Sequence, residues 1–453
     1  MDYRDILDDI KPDEEEYQRV MKLSEKLTGC INRLASEEGL DAEAVLVGSV
    51  AKGTWLSGSA DIDIFIHFPL DTPEDELKTT GLHLGHECIR MFHGTPEERY
   101  ASHPYVTGHI DGYEVDFVPC YRIEDASELR SAVDRTILHT RYIQTRLGEE
   151  QRDEVLLLKQ FMKSTGTYGS EFRVGGFAGY LAELLIIHYH DFEGVLEGAL
   201  EWRPGHVIDI DGHGTGERFT EPLVVVDPVD RNRNVAAALT LQRMSEFITA
   251  ARNFLRSGKK EYFTAPEYAS GPGDIVETCR RRGSKVILVS MGVPDIPADA
   301  LYPQLRKTMD SLVRRLEEEG FRVLNADYWS DEETVAVIIL EMEVWMLPSY
   351  RKRYGPPVWA RKHSERFLER NERVWVEGSR LAVDSPRRHR FAVDFLEDLL
   401  SSPERLRMGK HVGAEIRRGF GVHVLEDFIE SAGPGFIMFL DSFLNPWKRL
   451  IRQ

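Results

Sequence analysis

Apolar residues recur at steps of three and four through residues 13–38, where Val20, Leu23, Leu27, Ile31 and Leu34 share one stripe and Tyr17 lies a turn earlier. That spacing predicts an amphipathic helix, ended by Gly39. The period then changes to two. Runs near 45–47, 61–68, 105–110 and 113–118 alternate apolar with polar residues and predict strands. A helix near 76–92 and a loop from Thr54 to Ser59 join them, and Asp111-Gly112 predicts a hairpin turn. Residues 1–145 read as one α/β unit.

From 146 to 257 the pattern is mostly helical. EVLLLKQFMKSTGTYGSE predicts a helix that stops at a Gly/Tyr/Gly turn, and GGFAGYLAELLIIHYHDF predicts a second, apolar nearly all round and so buried. VVVDPVDRNRNVAAALTLQRMSEFITAARNFL predicts a strand, a Pro-bearing turn and a long helix capped by Asp230 or a neighbour. In the third region, 258–453, SKVILVSM predicts a strand, 297–319 a helix ended by Gly320, and FRVLNADYWSDEETVAVIILEMEVW two strands around a turn. That order predicts an α+β unit of ferredoxin-like type. Helical sections over 391–401 and 422–451 close the chain.

Strand geometry gives the first chemical clue. Side chains two residues apart on a strand point to one face, so Asp61 and Asp63 stand side by side while Ile62, Ile64 and Ile66 face a core. Asp116 lies on the polar side of the 113–118 run. Neighbouring carboxylates repel unless a cation lies between them, so the three acids form a candidate site for a hard divalent metal and a triphosphate. Read singly, the same residues are a solvated strand face and an edge-strand charge.

Further residues carry paired readings. In the Gly48-Ser49 turn, Gly48 lets backbone approach a phosphate, and Ser49 offers a hydroxyl and an amide N–H, or simply caps a helix. Lys52 adds positive charge a turn later. His139 follows a polar cluster and either donates to a triphosphate or ribose or is structural. Lys159, amid apolar neighbours, needs an anion, and an incoming triphosphate is one candidate; otherwise it snorkels at a boundary. Tyr168 lies in the turn after that helix, where packing under the turn is the plainer reading. Arg233 has a planar fork suited to a base edge, or is a helix-start charge.

Composition narrows the class. A chain of 453 residues exceeds one core and implies about two to four domains. No apolar run reaches membrane-span length, the N-terminus lacks a signal-peptide pattern, and four cysteines without C-x-x-C spacing suit a reduced cytoplasm. The net charge of -19 argues against a nucleic-acid partner, but binding depends on where the basic residues lie. Residues 351–373 are strongly basic and interleave Tyr354 and Trp359, with more basic residues at 385–390 and 405–418. The stretch reads equally as an RNA-binding surface or a solvated helix face.

The set Gly48-Ser49, Asp61-x-Asp63 and Asp116 resembles the nucleotidyltransferase superfamily related to DNA polymerase β. GSVAKGTWLSGSADIDIFI, VDRTILHT, LLLKQFMKSTGTYGSE, GGFAGYLAELLIIHY, VVDPVDRNRNVAAALT and YGPPVWARKHSERF are similar to one branch, the archaeal-type (class I) CCA-adding enzymes, tRNA nucleotidyltransferases that build and repair the 3′ CCA end. The likeness runs from about residue 13 to the C-terminus. It implies an α+β multidomain protein with a polymerase β-like head (1–145), a helical neck (146–257), and a body and tail (258–453) that grip the tRNA acceptor stem. It implies Mg2+ on the catalytic Asp61, Asp63 and Asp116. Ser49, Lys52, His139, Lys159 and Tyr168 would contact incoming CTP or ATP, and Arg233 would pair with its base edge. At Lys52 the family more often carries Arg, so a single ammonium replaces a two-pronged grip. A cytoplasmic enzyme, as a homodimer or otherwise, fits the resemblance. A poly(A) or terminal uridylyl polymerase shares the same acids. A small-molecule nucleotidyltransferase and an RNA-binding protein with a degenerate head are the remaining rivals.

Overall fold

The computed structural model describes residues 2–100 and 104–452. The chain forms two compact units: residues up to Pro266 together with those from Trp447 onward, and Glu267–Pro446.

The first unit begins with helices α1 (Arg4–Ile10) and α2 (Glu14–Glu37). Asp13 caps α2, its carboxylate accepting the Glu16 N–H at 2.7 Å. There follow β1 (Glu43–Val47), the short helix α3 (Gly48–Lys52), β2 (Asp61–Phe68), α4 (Glu74–Met91), β3 (Thr95–Tyr100), β4 (Pro104–Ile110) and β5 (Tyr113–Tyr121). These strands form one sheet in the order β1-β2-β5-β4-β3. Only β2 and β5 run parallel; the other neighbours are antiparallel. Asp111 and Gly112, both at positive φ, turn β4 into β5 as expected of a tight hairpin. The edge strand β3, TPEERY, was not foreseen, because it lacks apolar alternation.

Helices α5 (Arg135–Arg146), α6 (Glu149–Ser164), α7 (Gly179–Tyr189), α8 (Phe192–Ala199) and α9 (Leu241–Ser257) follow, with a small sheet of β6 (His206–Ile208), β7 (Leu223–Asp227) and β8 (Asp230–Asn234) before α9. Their core is aromatic. The Phe161 ring lies within 5.6–6.1 Å of Phe192, Phe247, Phe254, Tyr262 and Phe263. Helix α7 is buried as its composition predicts. The cap of α9 is Thr240, not Asp230: the chain turns back after β7, so Asp230 opens β8 and pairs with Arg135 at 3.1 Å.

The compact units are drawn differently from the expected 1–145, 146–257 and 258–453. Ile6 and Ile10 of α1 pack in the same core as Phe161. The last residues return to this unit as well, where the Leu450 carbonyl accepts from Asn253 at 2.9 Å and Tyr262 at 2.8 Å.

The second unit opens with α10 (Pro272–Arg282), β9 (Lys285–Gly292), α11 (Ala298–Glu319), β10 (Arg322–Ser330) and β11 (Val335–Val344). It continues with β12 (Tyr350–Pro357), α12 (Arg361–Arg370), β13 (Val374–Glu377), β14 (Arg380–Pro386), α13 (Ala392–Leu400), α14 (Lys410–Arg418), β15 (Phe420–Val424), α15 (Leu425–Phe428) and α16 (Pro434–Leu444). The main sheet has the order β10-β11-β9-β15, antiparallel throughout, which is the ferredoxin-like arrangement. A separate sheet, β12-β14-β13, carries the start of the basic stretch on β12, and α12 carries more of it. The expected helical section over 422–451 begins instead as β15, because FGVHV pairs with β9. No helix among the described residues is long and apolar enough to cross a membrane.

The Phe161→Ala variant is expected to destabilise the first unit by about 3–5 kcal/mol, since its ring is fully buried among five others. Denaturant unfolding checks this, and a loss below about 1 kcal/mol would show that the cluster repacks.

Candidate active site

The parallel register of β2 and β5 places Asp63 opposite Asp116 and Asp61 opposite Glu114. One strand over, Thr107 of β4 is opposite Asp116 and donates its hydroxyl to that carboxylate at 2.6 Å. A cavity of 330 Å³ opens against this face of the sheet. Asp61, Asp63, Glu114 and Asp116 line one side of it, with Ser49, Lys52, Lys159, Tyr168, Gly179, Tyr180 and Glu183 around the rest.

The acids hold their protons more tightly than usual. Burial, then the charges of Asp116 and Asp61, push Asp63 up to about 7, with Lys52 opposing. Burial is also the leading cause for Asp61 and Asp116, and Glu114 adds to both. A bound cation relieves this repulsion, and an all-oxygen donor set is the kind a hard divalent ion takes. Among the described residues no group of three or more His, Cys, Asp or Glu side chains stands as a ready-made metal cage. The acids are walls of one cavity rather than a closed shell.

Gly48 has a tighter role than the expected approach to phosphate. Its φ is +72°, and a Cβ there would lie 1.9 Å from an Asp63 carboxylate oxygen. Ser49 is not a helix cap: Val47 holds that position in α3, and Ser49, two residues on, lines the cavity.

Both lysines find an anion inside the protein. Lys52 donates to Glu183 Oε2 at 2.6 Å. Lys159 donates to the Thr54 carbonyl at 2.8 Å and to Glu183 Oε1 at 3.4 Å, and Thr54 Oγ1 donates to the same oxygen at 2.6 Å. Glu183 is 0% exposed and Lys159 3%. Burial opposes the charge of Glu183, yet Lys52 and Lys159 outweigh it and hold this carboxyl below the usual range. Burial lowers Lys159, with Glu183 opposing.

His139 and Arg233 are not among the residues lining the cavity. Both meet Asp227, a fully buried acid at the end of β7, each at 2.9 Å. Tyr180 links this group to the cavity: its hydroxyl donates to Asp227 at 3.3 Å and its ring stacks on His139 at 3.9 Å. Burial raises Tyr168 to about 12, so its phenol stays a donor at neutral pH.

Tyr180, Glu183 and Asp227 escaped the reading of motifs. Glu183 left one legible signal, a lone acid inside the apolar run GYLAELLIIHY. Such a residue needs a buried partner.

Gly48→Ala is expected to lower turnover by at least about a hundredfold, because the new methyl drives the Asp63 carboxylate from its place while the fold persists. Turnover measured beside a melting curve checks this, and wild-type activity in a folded variant would contradict the tight contact.

Three family models cover most of the chain: a nucleotidyltransferase domain over 27–139, the second domain of tRNA nucleotidyltransferase over 153–264, and the C-terminal domain of CCA-adding enzyme over 282–425. A CCA-adding enzyme of Methanothermobacter thermautotrophicus is 71% identical over 100% of this chain and 99% of its own length. One from Methanosarcina acetivorans is 38% identical over 96% of each. Among solved structures, a cytoplasmic RNA terminal U-transferase is similar over 58% of this chain and 97% of its own, at 16% identity and a TM-score of 0.45, too distant to speak to substrate. Full-length relatives this similar, with all three domains in order, mean that the chain belongs to the family of CCA-adding enzymes.

Proposed function

We propose that this protein adds and repairs the 3′-terminal CCA of tRNA, using CTP and ATP and releasing pyrophosphate. One observation carries the reading: a cavity with carboxylates on one side and two buried lysines on another, in a chain 71% identical to a CCA-adding enzyme over its full length. Asp61, Asp63 and Asp116 are the residues we assign to a divalent cation, and Mg2+ suits their hard oxygen donors. When bound, such a cation supplies Lewis acidity toward the attacking hydroxyl and the triphosphate.

The chain's own groups do the rest. Thr107 fixes one oxygen of Asp116, and we assign this acid to the tRNA 3′-hydroxyl as it attacks the α-phosphorus. Lys52 and Lys159 face a single Glu183, which leaves that wall with one net positive charge for the phosphates. Ser49 and Tyr168 offer hydroxyl donors to the same groups. We place His139 and Arg233 at the nucleoside end, where Asp227 orients both. In the second unit Trp359 is 73% exposed, and Tyr350 and Tyr354 are exposed beside it in sequence. Lys352 pairs with Glu377 and Arg361 with Glu365, so part of this basic stretch is neutralised. Its exposed aromatics favour stacking on RNA. All four cysteines are free thiols, which suits a reducing cytoplasm.

The test is incubation with tRNA ending before CCA and each labelled triphosphate. Two cytidines and one adenosine are expected, with nothing from GTP or UTP; a uridine tail or a long adenosine tail would sink the reading. Asp116→Ala should reduce addition at least about a hundredfold while tRNA affinity holds. A matching fall in tRNA affinity would remove Asp116 from a purely chemical role.

Protonation gives a second test. A carboxylate whose pKa is raised in the folded state destabilises the fold as pH rises through that value, here from the acid range to about 7 for Asp63. A cation binds the ionised form and reverses the loss. Mg2+ should therefore raise the melting temperature more at about pH 8 than at about pH 5, and Asp63→Asn should remove most of the difference. An equal Mg2+ effect at both pH values would refute the coupling.

A further inference from the structure

We propose that Glu183 is a positioning residue that holds Lys52 and Lys159 at the cavity wall so that both ammonium groups meet the triphosphate of the donor nucleotide. The inference rests on the reading that this cavity takes CTP and ATP.

The geometry is economical. Each oxygen of the carboxylate serves a different cation: Oε2 takes Lys52 at 2.6 Å and Oε1 faces Lys159 at 3.4 Å. Thr54 closes the arrangement: its hydroxyl donates to Oε1 and its carbonyl accepts from Lys159. These residues come from α3 and the loop after it, and from α6 and α7 about a hundred residues later. A leucine at position 183 would fit the apolar run around it and avoid the cost of burying a charge. Lysine is a point charge on a flexible stem, and two such stems left unanchored would each lose side-chain entropy on meeting a phosphate. Anchored in advance, they meet it at lower cost. Two ammonium groups on one carboxylate also leave an excess positive charge facing a cavity whose other side is acidic, which a polyanion with its cation completes.

The groups that face Glu183 are Lys52 from α3, Thr54 from the loop, Lys159 from α6, Tyr168 after α6, and Tyr180 on its own helix. Lys52 also feels Asp63 across the cavity. Gly179 keeps the wall open, since a Cβ there would lie 3.1 Å from the Tyr168 hydroxyl and 3.5 Å from Lys159 Nζ. Burial lowers Lys159, and Glu183 is the anion that opposes the lowering. Without its charge Lys159 loses its proton at lower pH, and the grip on triphosphate weakens as pH rises.

The experiment is steady-state addition of cytidine from CTP and Mg2+ to tRNA ending before CCA, by wild type, E183Q and E183D, from about pH 6.5 to about pH 9. E183Q is expected to raise KM for CTP at least about tenfold with a smaller change in kcat, and its KM should climb with pH more steeply than that of wild type. E183D keeps the charge on a shorter arm, so its KM should be intermediate and its pH dependence like wild type. K159M should cost less in the E183Q background than in wild type, because the two act as one unit. A KM for E183Q within about twofold of wild type across the range, or a full K159M penalty in both backgrounds, overturns the proposal. Should E183Q fail to fold, E183D decides: an unchanged KM overturns it. A wild type that adds no cytidine overturns the proposed function and this proposal together; an active wild type with unchanged variants overturns this one alone.

Discussion

The parallel pairing of β2 and β5 is the constraint on which the site depends. A register that sets Asp63 against Asp116 forces two like charges together, and Asp61 and Glu114 follow two residues away. Burial first, and then this pairing of like charges, raise the proton affinity of Asp63. The opposite face of the same strands offsets that cost with Ile62, Ile64, Ile66, Val115 and Phe117, all buried. Parallel neighbours cannot be joined by a tight turn. Helix α4 and the strands β3 and β4 supply the crossover, and β4 delivers Thr107 to Asp116 on the way.

A second pair of buried acids organises the helical side. Glu183 gathers Lys52 and Lys159; Asp227 gathers His139 and Arg233. Tyr180 lies between them, reaching Asp227 through its hydroxyl and facing Lys52 across its ring at 5.8 Å. The basic side chains that a motif reading singles out are thus held by acids it passes over. A buried carboxylate without such partners would cost several kcal/mol, so each acid is as much a condition of the fold as of the chemistry.

Local periodicity was enough for much of this. Two aspartates two apart on an alternating run must share a face, a stripe at helical spacing over 13–38 must form a helix, and Asp111-Gly112 must turn. The ferredoxin-like order of the second unit was legible for the same reason, because each element announces itself within its own window. Where local pattern is weak the reading failed: β3 is a charged edge strand, and β15 exists because β9 had an edge to pair with.

The sequence by itself determined which side chains share a strand face and where the strongly periodic helices lie, because both follow from the fixed geometry of neighbouring residues. It also named Asp61, Asp63 and Asp116 as one chemical set. Only the tertiary structure decided the partners. It placed Gly48 against Asp63, gave Lys52 and Lys159 one shared carboxylate, set His139 and Arg233 on Asp227 away from the cavity lining, and returned the final residues to the first unit. Those choices join residues far apart in the chain, and they are made by whichever packing buries the apolar faces while leaving no charge alone.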